Sequence, residues 1–281
     1  MPELPEVETI RGQLEKYLIG HKIVGVEASY RNFEGDGKSL FGGKVVKIRR
    51  FGKVTVIDLD NGFSVVAHIK LTGQFIYRGP NLKEIPNLSK KVVGGVPGKH
   101  THVTFKLDKS GNLYYNDVRR FGWIKIVKTK GVEEIPFIKK LGPEPLGKLT
   151  FELFKQILSK SGRPVKIVLM DQEKIGGVGN IYANDALWLA KINPKSPTNS
   201  LKADQQKDLY DATLKVLKEG IKYGGSSELA YVTPDGTEGS YQDHMLAYGR
   251  QEEPCERCHR AKFVKYFLGG RGTYFCPFCQ K

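Results

Sequence analysis

Apolar positions recur along this chain with two periods, and the change between them divides it. Val7, Ile10, Leu14 and Tyr17 are spaced by three and four, which predicts an amphipathic helix over about residues 3–18. Proline followed by glutamates is an ordinary helix start, because the missing N–H costs nothing in the first turn and the carboxylates complement the dipole. From there to residue 127 the runs shorten to 21–30, 44–51, 54–59, 63–69, 74–77, 101–107, 113–115 and 123–127. In 101–107, Val103, Phe105 and Leu107 alternate with His102, Thr104 and Lys106, the period of a strand with one buried face. Eight such runs, with turn signals at Asp60-Asn61-Gly62 and Lys109-Ser110-Gly111, predict an antiparallel sandwich or barrel. Residues 79–99, rich in Gly, Pro and Lys, read as a surface loop.

The helical period returns after Leu141-Gly142-Pro143-Glu144-Pro145. Phe151, Phe154, Ile157 and Leu158 share one helical face, and further helices are predicted at 165–170, 181–189 and 209–221. Residues 224–249 are polar and glycine-rich and read as a mobile loop. The expected organisation is an N-terminal β domain over 1–140, a linker at 141–148, a helical domain over 149–249 that includes the 224–249 loop, and a C-terminal finger over 250–281.

Charge narrows the function. Lys and Arg number 45 against 30 Asp and Glu, a formal net charge of +15, the footprint of a polyanion binder. No apolar run approaches the roughly 18 residues of a membrane span, and the first residues are acidic, not a basic-then-apolar leader. A soluble cytoplasmic protein without a membrane partner is expected.

All four cysteines lie in the last 27 residues, as two C-x2-C pairs separated by seventeen positions. Cys255, Cys258, Cys276 and Cys279 have the spacing of a closed four-thiolate zinc site, structural because no position is left open for water; two disulfides are the alternative. Between the pairs, Gly269-Gly270-Arg271-Gly272 reads as a hairpin turn with Arg271 at its tip, suited to a DNA groove or phosphates, or else a plain solvated turn. Gly176-Gly177-Val178-Gly179-Asn180 opens a helix, where backbone N–H groups bind anions, but lacks the nucleotide P-loop ending. Arg119-Arg120-Phe121-Gly122 puts a cation and an aromatic at a loop tip, a pair that can fill the hole left by an extruded base, although an arginine pair beside one core Phe is the commoner meaning. If Met1 is removed, Pro2 carries a secondary amine beside Glu3 and Glu6. An α-amine has a neutral fraction near pH 7, and attack on a sugar C1′ would give an iminium, with Glu3 as the acid that opens the ring.

Together these stretches resemble the formamidopyrimidine-DNA glycosylase family, which also contains endonuclease VIII. The resemblance runs nearly the whole length: M-P-E-L-P-E-V-E at 1–8, R-R-F-G-K at 49–53, K-H-T-H-V at 99–103, N-D-V-R-R-F-G at 116–122, L-G-P-E-P at 141–145, G-G-V-G-N-I-Y-A at 176–183, Y-G-R at 248–250 and G-R-G-T-Y-F-C-P-F-C-Q at 270–280. It implies a multidomain α and β fold: an antiparallel β-sandwich with a flanking helix, a helix-two-turn-helix domain whose 224–249 segment recognises the base, and a zinc-finger hairpin. It implies that Pro2 forms the Schiff base, Glu3 protonates the sugar, Glu6 holds the opened sugar, Lys53 contacts phosphate and assists β-elimination, and Arg271 grips phosphates and aids the second elimination. His100, Arg119, Lys166 and Asn180 match DNA-contacting positions, Arg163 joins that set, and Leu71, Arg119 and Phe121 occupy void-filling positions.

Two positions depart from the family pattern. Leu71 stands where an H-x-x-M segment has methionine, and the finger spacer is one residue longer than usual, which could shift Arg271. The expected function is a bifunctional glycosylase and apurinic-site lyase that removes oxidised purines from damaged double-stranded DNA lying in a basic cleft between the β domain and the helical and zinc parts. It would act as a monomer, with one structural Zn2+ and no small-molecule cofactor. An endonuclease VIII-like enzyme for oxidised pyrimidines and a non-catalytic zinc-containing damage sensor are the alternatives.

Overall fold

The computed structural model describes all 281 residues and divides into two compact units, Met1–Lys139 with Ile221–Gln242, and Lys140–Gly220 with Asp243–Lys281. No helix is long and apolar enough to cross a membrane.

The first unit begins with helix α1 (Leu4–Leu18) and continues through strands β1 (Ile23–Ala28), β2 (Phe33–Glu34), β3 (Val45–Phe51), β4 (Val54–Leu59), β5 (Phe63–His68), β6 (Gly73–Arg78), β7 (Thr101–Leu107), β8 (Asn112–Asp117) and β9 (Trp123–Lys128), ending in helix α2 (Pro136–Lys139). They form a four-stranded sheet, β1-β7-β8-β6, and a five-stranded sheet, β2-β9-β5-β4-β3. One core joins the two sheets and α1: Val103, Phe105 and Leu107 meet Val65, Ala67, Ile124 and Ile126, while Ile10, Leu14 and Tyr17 close one side. A second layer covers the outer face of the five-stranded sheet, with Val132, Ile135 and Ile138 on Val54, Val56 and Val66. Every residue of β4 is consequently buried, so its sequence lacks the alternation of β7. All eight expected strands form. The addition is β2, two residues paired parallel to β9, too short to leave a period.

The segment after residue 220 differs from its expected place. Instead of a loop of the helical domain, Ile221–Gln242 belongs to the first unit. Its main-chain carbonyls find donors in the first unit: Tyr77 N–H donates to Pro234 O at 2.7 Å, Ser89 N–H to Gly236 O at 2.9 Å, and Gln74 Nε2 to Ala230 O at 2.6 Å. Tyr231 enters the inter-sheet core, and Val232 packs on Ile76 and Val92.

The second unit contains α3 (Phe151–Ser159), α4 (Val165–Met170), α5 (Asn180–Leu189), most of α6 (Ala203–Lys222) and the hairpin β10 (Val264–Leu268)–β11 (Arg271–Phe275). Helix α5 is buried on every face from Ile181 to Trp188, so it is the centre on which the finger is built. Tyr274 N–H donates to Asn184 Oδ1 at 2.8 Å, the Arg257 guanidinium lies 4.0 Å from the Trp188 ring centre, and Gln280 Nε2 donates to Ile192 O at 2.9 Å.

Two glycines test this packing in opposite directions. Gly225 has φ +81° and a Cβ there would lie 2.7 Å from Glu6 Cγ, so Gly225→Ala should lower stability by about 1–2 kcal/mol from the backbone alone and more from the clash. Gly12, inside α1 with nothing within 4 Å, should gain about 0.5–1 kcal/mol as alanine. Urea unfolding midpoints that move the same way for both would contradict this placement.

Candidate active site

Helix α1 starts at Leu4, with Glu3 as its cap and Pro5 in the first turn. Glu3 and Glu6 form a reciprocal capping box, in which Glu6 Oε2 accepts Glu3 N–H at 2.6 Å. The helix start is therefore complete without Pro2, which lies one residue outside it and is buried. With Met1 in place the Pro2 nitrogen is an amide, so an amine arises only when Met1 is removed. The second oxygen of Glu6 accepts Ser226 N–H at 2.8 Å, which ties the helix start to the 221–242 segment. Glu6 thus carries a backbone-holding task that the sequence reading did not assign to it. Glu228, two residues on, has its carboxyl pushed up by burial against the pull of the amino terminus.

Lys53 occupies the two-residue turn between β3 and β4 and is buried, with only 4% of its surface exposed. Burial first, then the Lys70 and Lys53 charges, hold His68 down at about 3, so its imidazole is neutral and Nδ1 accepts Lys70 N–H at 3.1 Å. Leu71 follows in the β5–β6 turn, half-buried, after Lys70 with φ +51°. His100 is half-buried before β7, and burial with Lys99, His102 and Arg120 lowers its affinity for a proton.

The β8–β9 loop projects Arg119 and Phe121, both exposed, with the guanidinium 4.6 Å from the ring centre. Its base was not foreseen. Asp117, fully buried, accepts the Thr72 hydroxyl through Oδ1 and Gly122 N–H at 2.8 Å through Oδ2. Tyr30 Oη lies 2.8 Å from the same carboxylate, and burial, then Asp117, raises its phenol so that it stays a donor. Asn32 Nδ2 donates to the carbonyls of Arg120 and Gly122 at 3.0 and 2.8 Å. The available sequence signal was the Asp inside N-D-V-R-R-F-G.

In the second unit, Asn180 is the first residue of α5, half-exposed after Gly179. Gln172 holds the turn before it, accepting Gly177 N–H at 3.0 Å and donating to Val178 O at 2.7 Å. Arg163 is exposed and pairs with Asp171 at 3.1 Å. Lys166 corrects an expectation: it is completely buried, and Nζ donates to Gly272 O and Thr273 Oγ1, both at 2.8 Å. A buried ammonium needs such partners, and here they tie Lys166 to the hairpin. The brace ends next to Arg271, which is exposed after Gly269 and Gly270, whose φ of 56° and 71° make the tight hairpin turn. The hairpin ladder runs unbroken from Val264↔Phe275 to Leu268↔Arg271.

The four cysteine sulfurs lie within 4.8 Å of one another, with Cys255–Cys279 at 3.9 Å and Cys258–Cys276 at 3.7 Å. A disulfide needs about 2.05 Å, whereas the edges of a tetrahedron with metal–sulfur bonds of about 2.3 Å are close to 3.8 Å. The cluster could hold a metal ion.

Comparison with known proteins agrees with this geometry. Residues 1–124 match the formamidopyrimidine-DNA glycosylase N-terminal domain and residues 141–231 the formamidopyrimidine-DNA glycosylase H2TH domain. A formamidopyrimidine-DNA glycosylase of Streptococcus thermophilus is 38% identical over 291 aligned positions, covering 100% of both chains. Two solved structures of the Lactococcus lactis Fpg protein are 36% identical with TM-scores of 0.86, one with abasic-site DNA covering 99% of both chains and one with DNA containing N7-benzyl-Fapy-dG covering 100% of both. Full-length identity, both matched domains and the shared fold lead to one conclusion: the chain belongs to the formamidopyrimidine-DNA glycosylase family.

Proposed function

We propose that this chain is a DNA glycosylase and apurinic-site lyase of base excision repair, acting on formamidopyrimidine and 8-oxoguanine lesions in duplex DNA through the amine of Pro2. The observation that carries the reading is the self-sufficient helix start: Glu3, Pro5 and Glu6 satisfy α1 and leave Pro2 with no helical task. With Met1 removed, the Pro2 lone pair attacks C1′, the glycosidic bond breaks toward the base, and the ring opens as Glu3 gives O4′ a proton. Pro2 loses its N–H proton as the iminium forms, and the iminium acidifies C2′–H, so that proton leaves as the C3′–O bond breaks; a second elimination removes the C4′ proton as C5′–O breaks, and water adds to C1′ to release the sugar remnant from Pro2.

The remaining residues position DNA. Lys53 and Arg271 would meet the phosphates flanking the sugar, Asn180 and the amides at the start of α5 another phosphate, and His100 and Arg163 lesser contacts. Leu71, Arg119 and Phe121 would fill the void left by the extruded nucleotide. The four cysteines would hold one structural Zn2+, which when bound makes the hairpin rigid and offers no open coordination position. The Fapy-dG and abasic-site complexes of the Lactococcus lactis protein support the lesion class.

Borohydride present during incubation with a duplex carrying 8-oxoguanine should trap a covalent adduct on the peptide that begins with Pro2. Protein whose intact mass retains Met1 should give none; an adduct from such protein would sink the assignment. Glu3→Gln should slow lesion excision by about 10²-fold or more, the usual worth of a positioned acid, with a smaller loss on a preformed abasic site, whose ring already opens unaided.

Metal analysis should find one zinc per chain. Cys276→Ser should lose it together with DNA affinity. A zinc-free protein with full affinity would contradict the bracing role given to the finger.

A further inference from the structure

The two loops expected to enter the void are joined by one hydroxyl. Thr72 directly follows Leu71, and its Oγ1 accepts Arg119 N–H at 3.0 Å while donating to the buried Asp117 carboxylate, which also receives Gly122 N–H. On the other side, Gly73 N–H donates to Ile69 O at 2.9 Å and closes the β5–β6 turn to which Thr72 belongs, and a Cβ at Gly73 would lie 2.5 Å from both Ile69 O and Tyr115 Oη. A Cβ at Gly122 would lie 1.9 Å from the same Tyr115 Oη, which fixes the other loop against the same side chain. The roots of both loops pair in the sheet ladders, His68 with Trp123 and Gly73 with Asp117, and the Thr72 hydroxyl adds a link from the first loop to Arg119 in the second.

We propose that Thr72 is a positioning residue that couples Leu71 to the Arg119–Phe121 pair, so that the two loops enter the void as one body. The proposal rests on the void-filling reading of those three residues. Valine at this position keeps the shape of the side chain and removes both bonds, whereas serine keeps the bonds.

The test uses full-length, Met1-free protein and a duplex with 8-oxoguanine opposite cytosine and 2-aminopurine beside that cytosine, whose fluorescence rises when the opposite strand unstacks. Thr72→Val should lower single-turnover excision roughly tenfold, the factor expected from losing these two partly exposed hydrogen bonds, and should blunt the fluorescence rise. Cleavage of a single-stranded abasic oligonucleotide, which has no void to fill, should stay unchanged, and Thr72→Ser should recover wild-type behaviour. Leu71→Ala and Arg119→Ala should combine less than multiplicatively when Thr72 is present and multiplicatively in the Thr72→Val background. If Thr72→Val melts without a cooperative transition, Thr72→Ala carries the same expectations.

Wild-type fluorescence and excision in Thr72→Val, alongside clear losses in Leu71→Ala and Arg119→Ala, would overturn the coupling. Unchanged fluorescence in Leu71→Ala and Arg119→Ala themselves would overturn the void-filling reading, and the coupling with it.

Discussion

A single buried carboxylate, Glu6, sets the geometry on which the rest depends. Its two oxygens take backbone N–H groups from Glu3 and from Ser226, 220 residues further along the chain. Burying an ionised carboxylate is expensive unless donors surround it, so both amides must stay in place whenever Glu6 is charged. The first residues of α1 and the 221–242 segment are thereby held in one frame. Gly225 has the room and the positive φ that the close approach needs.

The same device recurs. Asp117 gathers the Thr72 hydroxyl and Gly122 N–H beneath the β8–β9 loop, and Asp185 accepts Ala247 and Tyr248 N–H at 2.9 and 3.0 Å from one oxygen. In each case an irregular segment, without ladder partners for its amides, is fixed by an acceptor on a regular element or at its end. A carboxylate suits this task because it only accepts; an amide would turn one of its faces into a donor pointed at another donor.

Much of the fold was legible because burial leaves a period. The strand over Thr101–Leu107 shows it cleanly, whereas β4, covered on both faces, buries every residue, Thr55 and Asp58 included, and so loses the alternation. The two-residue β2 leaves no period at all. Residues 221–242 left no mark of the strands they pack on for a different reason: their main chain takes bonds from Tyr77 N–H of β6, Ser89 N–H of the 79–99 loop and the Gln74 side chain, and such pairing is silent in the pattern of apolar positions. At the candidate site, the two readings of the first eight residues were never rivals. Pro5, Glu3 and Glu6 make the helix start, and Pro2 stands outside it.

Charge was the least local of the signals. A net +15 describes the field of the whole chain whether a given lysine is exposed or not, so the inference of a polyanion partner survives the burial of individual cations. Assigning phosphate contacts residue by residue requires knowing which ammonium reaches water. Lys166 does not reach it, and its charge is spent on Gly272 and Thr273. That bond nonetheless bears on the field, because it ties α4 to the strand that the exposed Arg271 heads. A buried cation thus braces the strand that carries an exposed one.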